Sequence, residues 1–287
     1  MIDETRTVSS WRPAAFLMAS PAQRKRIVGR AATCRMVSER QIPGYVETMK
    51  HFENYVGTGL GTAEELRLGH AAAPAALPFW SRVKAPVAGP RDMPFFCLHQ
   101  TQDSEVFSRD ECNDIVREAE RVASEIGWSK KRHGSYATTD LPLVQLPETL
   151  RLFNRKLVST IYPTLGAMFF DALPDVRCLR VVDGFVVKYD AVEPGGQVSL
   201  AEHRDGSVLS FNIALNPRSD FEGGGTWFAG LNETISTNQG HMLAHASGML
   251  HAGHPITSGQ RYILVGFVIL EQYQNFAVRF MHTVEDL

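Results

Sequence analysis

A histidine and a carboxylate stand two positions apart in the C-terminal half of the chain, at His203 and Asp205. In extended backbone such residues point the same way, so the imidazole and the carboxylate can converge on one metal ion. The pair by itself is a weak signal, because 10 His and 31 Asp and Glu in 287 residues predict about one such pair by chance. His51 and Glu53 form a second pair, which we interpret as accidental.

A second histidine downstream, His251, can complete a three-residue site. Two histidines and one carboxylate on one face of an ion leave three positions open, as in non-haem iron(II) oxygenases. Zinc hydrolases usually use other ligand sets and spacings. His241, His245 and His254 are further candidates, and His254 is the strongest rival of His251. Histidines on strands are more often core or surface residues than ligands, so these three histidines are not predicted to bind the metal.

An arginine follows ten residues after His251, at the start of the apolar segment 261–267. A buried, unpaired guanidinium is costly, and no acidic residue adjoins Arg261 in the sequence. We therefore predict that Arg261 binds an anion. A carboxylate such as the distal one of 2-oxoglutarate matches the two-pronged guanidinium. This spacing between His251 and Arg261 is the reason for preferring His251 over His254.

The elements that must position these residues change in type along the chain. A capping box at 108–111 predicts a helix over 112–126 that Gly127 ends, and a second helix is predicted over 148–170, kinked or ended by Pro163. From residue 177 onward the pattern predicts short strands joined by glycine-rich turns, typical of a sandwich or jelly roll. The predicted strands are 179–190, 198–203, 208–216, 226–230, 233–237, 241–246 and 261–271. Turns are predicted at 194–196, 223–225, 238–240 and 258–259, and the glycines at 223–225 lack the Lys-Ser/Thr of a phosphate loop.

The chain is predicted to hold one catalytic domain, residues 91–287, behind an N-terminal extension, residues 1–90, whose role is unknown. Weak helical patterns at 22–36 and 45–55 precede an alanine- and proline-rich stretch at 71–78, which is typical of a linker. The polar loop at 129–140 has two interpretations. It is either a solvated surface loop or a lid that carries Trp128, Arg132, Tyr136 and Thr139 towards a substrate.

Composition narrows the classes of partner and compartment. A formal net charge of −2 disfavours a nucleic-acid partner. Four widely spaced cysteines form no CxxC pair, which favours a reducing compartment. No secretory signal is recognised, and no apolar run approaches the roughly 18 residues that span a bilayer. We expect a soluble cytoplasmic protein with no membrane partner; its oligomeric state is not indicated.

From about residue 107 to 271 the chain resembles the prolyl 4-hydroxylase and procollagen lysyl hydroxylase branch of the iron(II)/2-oxoglutarate oxygenases. Five ordered blocks carry the resemblance: 185–189, 199–207, 211–216, 221–226 and 251–262. The resemblance implies a mainly β fold with flanking helices, a double-stranded β-helix of the jelly-roll or cupin-like kind. It implies iron ligands at His203, Asp205 and His251, and 2-oxoglutarate bound by Arg261 with support from Tyr189 and Asn212. Ascorbate is a further expected cofactor.

The implied reaction is hydroxylation of an unactivated C–H bond with O2 and 2-oxoglutarate, giving succinate and CO2. The carboxylate of Asp205 favours hydroxylation over halogenation, since a halogenating site usually lacks it. A lysine often takes the place of Arg261 in the prolyl branch, so the arginine leans towards the lysyl pattern. The expected substrate is a prolyl- or lysyl-type side chain in a protein or peptide. A free amino acid or other small metabolite is the alternative, and the missing secretory signal argues against collagen. A non-catalytic, cupin-like metal-binding protein is the alternative from another class.

Overall fold

The computed structural model describes residues 54–57, 80–82, 98–133, 136–169 and 179–270. All of these belong to one compact unit, residues 42–287. The predicted helix at 22–36, most of that at 45–55 and the stretch at 71–78 lie outside the described residues. Within the described residues, no helix has the length and apolar character needed to cross a membrane.

Helix α1, Arg109–Ile126, begins where the capping box predicts. The Ser108 hydroxyl accepts from the backbone N–H of Glu111, and the Glu111 carboxylate accepts from the N–H of Ser108. Gly127 ends the helix with a φ of 79°, a value that favours glycine. Its buried face presents Cys112, Ile115, Ala119 and Val122 to the core. The prediction for this helix is confirmed.

The second predicted helix is interrupted. Helix α2, Pro147–Lys156, runs into a π-helical turn, Leu157–Ile161, and then into helix α3, Tyr162–Met168. Pro163 lies in the first turn of α3, where its missing N–H is tolerated. The carboxylate of Glu118 on α1 caps α2 by accepting from the backbone N–H groups of Glu148 and Thr149. Buried charge at a helix N-terminus is stabilised there by the helix dipole.

Twelve described strands form two antiparallel sheets. The major sheet has the order β1-β2-β10-β6-β12-β4-β3, with β7 paired to β12, and the minor sheet has the order β5-β11-β8-β9. The strands of the major sheet are β1 (Trp80–Arg82), β2 (Leu98–Thr101), β3 (Asp140–Pro142), β4 (Leu179–Asp190), β6 (Leu209–Ala214), β7 (Phe221–Gly223), β10 (Met242–Ala246) and β12 (Ile256–Leu270). Those of the minor sheet are β5 (Leu200–His203), β8 (Thr226–Phe228), β9 (Glu233–Ile235) and β11 (His251–Gly253). This arrangement is the predicted double-stranded β-helix.

The central strands of the major sheet are buried on both faces. On β12, Leu264 and Val268 join the large core that also contains the helices, while Ile263 joins a smaller cluster on the other face. On β4, Val186 belongs to the first face and Val187 to the second. The period of two in a strand thus separates a helix-covered face from a face turned towards the cavity of the protein.

Several sequence-based boundaries were wrong. Strand β12 begins at Ile256, so Arg261 lies inside the strand and does not open it, and the predicted turn at 258–259 falls within β12. Within β12, Gly259 has a turn-like φ of 72°, and the pairing of β12 with β7 shifts register just before it, between Ile256 and Ser258. His251 was not assigned to a strand, yet it begins β11. The turn at 223–225 is confirmed, with positive φ at all three glycines.

Two short segments before residue 91 contact this domain. Strand β1 pairs with β2, and the Tyr55 side chain is 1% exposed, with its hydroxyl 3.2 Å from the carbonyl oxygen and 3.0 Å from the amide nitrogen of Gly184. The boundary near residue 90 stays a prediction, and these contacts define how it can be tested.

Candidate metal and co-substrate site

The three predicted metal ligands lie together at one end of the minor sheet. His203 is the last residue of β5, His251 is the first residue of β11, and the two are direct cross-strand partners. Asp205 follows β5 in a loop held by its backbone N–H to the carbonyl of Ser247, at 3.0 Å. Its carboxylate oxygens lie 3.4 Å from Nε2 of His203 and 3.5 Å from Nε2 of His251. One potential ligand atom from each residue falls within 4.8 Å of the others.

Backbone carbonyls orient both imidazoles. Nδ1 of His203 lies 2.8 Å from the carbonyl oxygen of Ala201, and Nδ1 of His251 lies 2.8 Å from that of Met249. A carbonyl only accepts, so Nδ1 carries the proton and Nε2 keeps its lone pair for the centre of the site. This is the support that metal-binding histidines usually have.

The electrostatics favour an ionised Asp205 and a neutral His251, the forms that bind a metal, whereas they favour the protonated form of His203. Burial alone would raise the pKa of Asp205, but His251 and His203 outweigh it and hold that pKa well below its usual range. Burial lowers the pKa of His251 to about 3, so its imidazole is neutral at neutral pH. For His203, the Asp205 carboxylate outweighs burial and raises the pKa. An ionised carboxylate beside a neutral imidazole fits the donor set of a hard-to-borderline divalent ion.

Arg261 lies on the cavity face of β12, opposite Tyr189 of β4 in the strand register. It is 6% exposed, and its guanidinium carbon lies 5.1 Å from the centre of the Tyr189 ring. Burial lowers the pKa of Arg261, and Tyr189 partly offsets this. Its Nη1 is buried with no hydrogen-bond partner, and no carboxylate among the described residues pairs with it. A buried guanidinium with one unpartnered nitrogen and no paired carboxylate fits an anionic ligand.

One cavity of about 170 Å³ connects the three predicted metal ligands with Arg261. Tyr189 and Asn212 line it as well, and Nδ2 of Asn212 lies 3.4 Å from Oγ1 of Thr226. The structure therefore brings together all six residues that the sequence predicts for the site. The rest of the wall is largely apolar and aromatic, including Phe185, Val187, Leu200, Val265 and Phe267.

The rival histidines have other surroundings. His254 is exposed, and Nδ1 of His241 lies 3.2 Å from the hydroxyl oxygen of Thr101. His245 is buried and lines the cavity, with its ring 4.5 Å from that of His251, but its Nδ1 lies against the carbonyl of Ala246. It lies next to the three predicted ligands but is not one of the residues whose ligand atoms converge.

Of the four residues that could face a substrate from the loop at 129–140, only Tyr136 lines the cavity. Tyr136 lines the cavity and lies 5.2 Å, ring to ring, from His203. Trp128 instead contacts Tyr262 and the Lys188 ammonium, and Thr139 donates its backbone N–H to Gln197. Of the four residues in the lid interpretation, Trp128, Arg132 and Thr139 are not among the cavity-lining residues, and whether the loop is a lid stays an open question.

Arg132 anchors this loop and does not line the cavity. Its Nε lies 2.6 Å from Asp140 and its Nη2 lies 2.9 Å from Asp183, both of which are buried. Two carboxylates hold the guanidinium, so the adjacent His133 is fixed against Phe185 with ring centres 4.8 Å apart. His133 and Arg204 line the cavity and were missed in the sequence. Arg204 had a signal, since it is the middle residue between two predicted ligands.

Part of the chain is similar in sequence to procollagen lysyl hydroxylases, although no protein-family model matches it. The human multifunctional procollagen lysine hydroxylase and glycosyltransferase LH3 is 32% identical over 174 residues, covering 57% of this chain and 22% of the relative. Human procollagen-lysine,2-oxoglutarate 5-dioxygenase 2 is 32% identical over 178 residues, with the same two coverages of 57% and 22%. The chain spans about a fifth of the length of these relatives.

Among the solved structures similar to this one is a viral collagen prolyl hydroxylase from Paramecium bursaria Chlorella virus-1. It has 17% sequence identity and a TM-score of 0.41, and the match covers 63% of this chain and 98% of that one. A prolyl-4-hydroxylase from Pseudomonas putida has 15% identity, a TM-score of 0.41, and coverage of 72% and 98%. At these TM-scores the likeness adds no argument, so the fold assignment rests on the sheet topology. Over 57% of its length the chain is therefore similar in sequence to procollagen lysine hydroxylases, and its sheets form a double-stranded β-helix.

Proposed function

We propose that this chain uses iron(II), 2-oxoglutarate and O2 to hydroxylate an unactivated C–H bond, giving succinate and CO2. The proposal rests on one observation. The three predicted metal ligands and the buried Arg261, whose Nη1 has no hydrogen-bond partner, line the same cavity. Neither feature alone would be enough. A trio of this kind also suits other divalent ions, and an isolated buried arginine also suits other anions.

Each side chain then has a defined task. His203, Asp205 and His251 would hold iron(II) at the wall of the cavity. Arg261 binds the distal carboxylate of 2-oxoglutarate, with Tyr189 packed against its guanidinium and Asn212 on the neighbouring strand. Iron(II), when bound, supplies the activation of dioxygen and the oxidation of 2-oxoglutarate. Ascorbate as a reductant that sustains turnover is part of the same proposal.

Aromatic side chains form part of the cavity wall and would limit the access of water to the reaction. Phe185 and Phe267 pack edge to face with ring centres 5.4 Å apart, and His133 covers Phe185. Tyr136 lies over His203 on the open side. A dry site strengthens the electrostatic hold on the co-substrate and protects reactive species from side reactions.

The substrate class that the relatives suggest is a prolyl- or lysyl-type side chain in a protein or peptide. The names of both human relatives refer to procollagen lysine. A free amino acid is a second candidate, favoured by the small size of the cavity. About 170 Å³ is below the roughly 300–1,000 Å³ of drug-sized sites, and it must also hold the co-substrate.

The test uses the full chain loaded with iron(II) without oxygen. Adding 2-oxoglutarate should produce a weak metal-to-ligand charge-transfer band, and admitting oxygen should give succinate. Asp205→Ala should abolish hydroxylation while the fold is retained, because Asp205 lies in a loop and outside the packed sheets. Arg121→Gln, on the exposed face of α1, is the matched control for surface substitution. Full iron loading with neither band nor succinate would favour a non-catalytic, cupin-like metal-binding protein.

A further inference from the structure

Arg204 is the charged cavity residue to which the proposed chemistry gives no task. It lies between two predicted metal ligands in sequence, and its exposed side chain lines the cavity. Nη1 donates to the carbonyl oxygen of Gly248, on the turn that also holds the Asp205 loop. Among the described residues Arg204 forms no ion pair, and its Nε and Nη2 have no hydrogen-bond partner.

With iron(II) and 2-oxoglutarate bound, the positive charge of Arg204 would not be balanced by a negative charge in the site. Iron(II) and Arg261 would be matched in charge by Asp205 and the two carboxylates of 2-oxoglutarate, since histidines that ligate a metal are neutral. The positive charge of Arg204 then has no counterpart in the cavity lining. The carboxylates of Asp140 and Asp183 do not line the cavity, and both are held by Arg132. An uncompensated guanidinium at a cavity mouth attracts an anion.

Because the cavity is small, part of a substrate must lie outside it, within reach of Arg204. With the co-substrate inside, a space of about 170 Å³ admits only the reacting part of a second molecule. Apolar side chains of Leu200, Val265 and Phe267 surround that part. The remainder of the substrate must lie at the rim, where the free edge of Arg204 is available. One guanidinium edge carries one charge, which matches a carboxylate, whereas a phosphate dianion would leave surplus negative charge.

We propose that Arg204 is a specificity-determining residue that binds a carboxylate of the substrate at the cavity mouth, so that the preferred substrate is an amino acid or peptide with a carboxylate near its reacting carbon. The inference rests on the proposed function and narrows its substrate class. It favours a free α-carboxylate over a side chain within an uncharged stretch of polypeptide. The contact with Gly248 positions the guanidinium and leaves its other nitrogens for the substrate.

The experiment measures binding to the iron- and 2-oxoglutarate-loaded protein without oxygen. The probes are the proteinogenic L-amino acids, their C-terminal amides, and acetyl-capped tripeptides ending as acid or amide. Binding beside the metal is read from the shift of the charge-transfer band. At least one acid should bind about tenfold or more tightly than its amide, as expected for a charge-assisted hydrogen bond. Arg204→Gln should remove this preference, Arg204→Lys should keep part of it, and Arg121→Gln should leave it unchanged.

The two kinds of probe distinguish a free amino acid from a peptide as the substrate. A preference seen with free acids alone identifies a free amino acid, and one seen also with tripeptide acids identifies a peptide terminus. If no acid outperforms its amide, whether both or neither bind, the inference is overturned. The same holds if Arg204→Gln keeps the preference or loses the band itself, which would make Arg204 a support of the metal loop. Absence of the band from the wild-type protein would instead refute the proposed function.

Discussion

The side chain whose replacement tests the site most sharply is Arg261. Arg261→Gln removes a guanidinium that is 6% exposed and has no anionic partner among the described residues. Before the co-substrate binds, this buried charge is uncompensated, so its removal should leave the melting temperature of the unliganded protein equal or higher. The variant should therefore fold, and its iron ligands are untouched.

The magnitude follows from breaking a desolvated charge pair. Removing one partner typically costs about 2–5 kcal/mol, which is roughly a 30-fold to several-thousand-fold loss of 2-oxoglutarate affinity at about 1.4 kcal/mol per decade. At 100 times its dissociation constant, a ligand stabilises the wild-type protein by about 2.7 kcal/mol. With an affinity at least about 30-fold weaker, the same concentration stabilises Arg261→Gln by no more than about 0.9 kcal/mol.

The assay combines thermal unfolding with titration of the iron-loaded proteins. For a domain of this size, 1 kcal/mol shifts the melting temperature by about 2–4 °C, so the smallest expected affinity loss already shrinks the co-substrate shift by roughly 4–7 °C in Arg261→Gln. Arg261→Lys should fall between the two proteins, because a point charge keeps attraction but loses the two-pronged geometry. Arg121→Gln, on exposed α1 surface, is the control for loss of a charge.

Equal 2-oxoglutarate affinity in the wild type and Arg261→Gln would refute this reasoning. It would also remove the spacing argument by which the sequence favours His251 over His254. A large loss of stability without ligand would contradict the conclusion that the charge is uncompensated before binding.

Two further predictions concern the ligands and the N-terminal contacts. Iron(II) affinity, measured by metal content after dialysis, should fall as the pH drops through the histidine range near about 6.5, because ligating imidazoles must be neutral. His203, with its raised pKa, should be protonated first, while His251 stays neutral down to about pH 3; occupancy unchanged at pH 4 would contradict these ligands. Tyr55→Ala should lower the free energy of unfolding by about 3–5 kcal/mol in urea, since the ring is buried beside Phe153, and Tyr55→Phe should lose only the hydroxyl contacts. An unchanged midpoint would show that residues before 91 do not stabilise the domain.

Local patterns in the sequence were sufficient for the elements whose stability is local. The capping box at Ser108 and Glu111 predicted the start of α1, because the hydrogen bonds lie within one turn. The apolar-rich segment 179–190 predicted β4 at its observed bounds, since both faces of that strand are buried. The apolar neighbours of Arg261 predicted a buried guanidinium in need of an anion, and the structure has that orphaned nitrogen.

Short strands without local signals could not be predicted. Strands β1, β2, β3 and β7 contain three or four residues each, and their stability comes from partners far away in sequence. The burial of Tyr55 depends on contacts with Gly184 and Phe153, about a hundred or more residues away. A period in the sequence predicts which residues share a face, but it carries no information on what covers that face.

The sequence by itself determined the chemistry available: a His-X-Asp pair, a later histidine and an arginine that requires an anion. Only the tertiary structure decided which histidine joins the pair. Pairing of β11 with β5 sets His251 opposite His203, and His254, three residues later, lies exposed beyond the strand. The same folding turned Arg204 to the cavity mouth and Trp128 away from it. Strand register is set by long-range packing, and a shift of one residue would exchange the two faces of every strand involved.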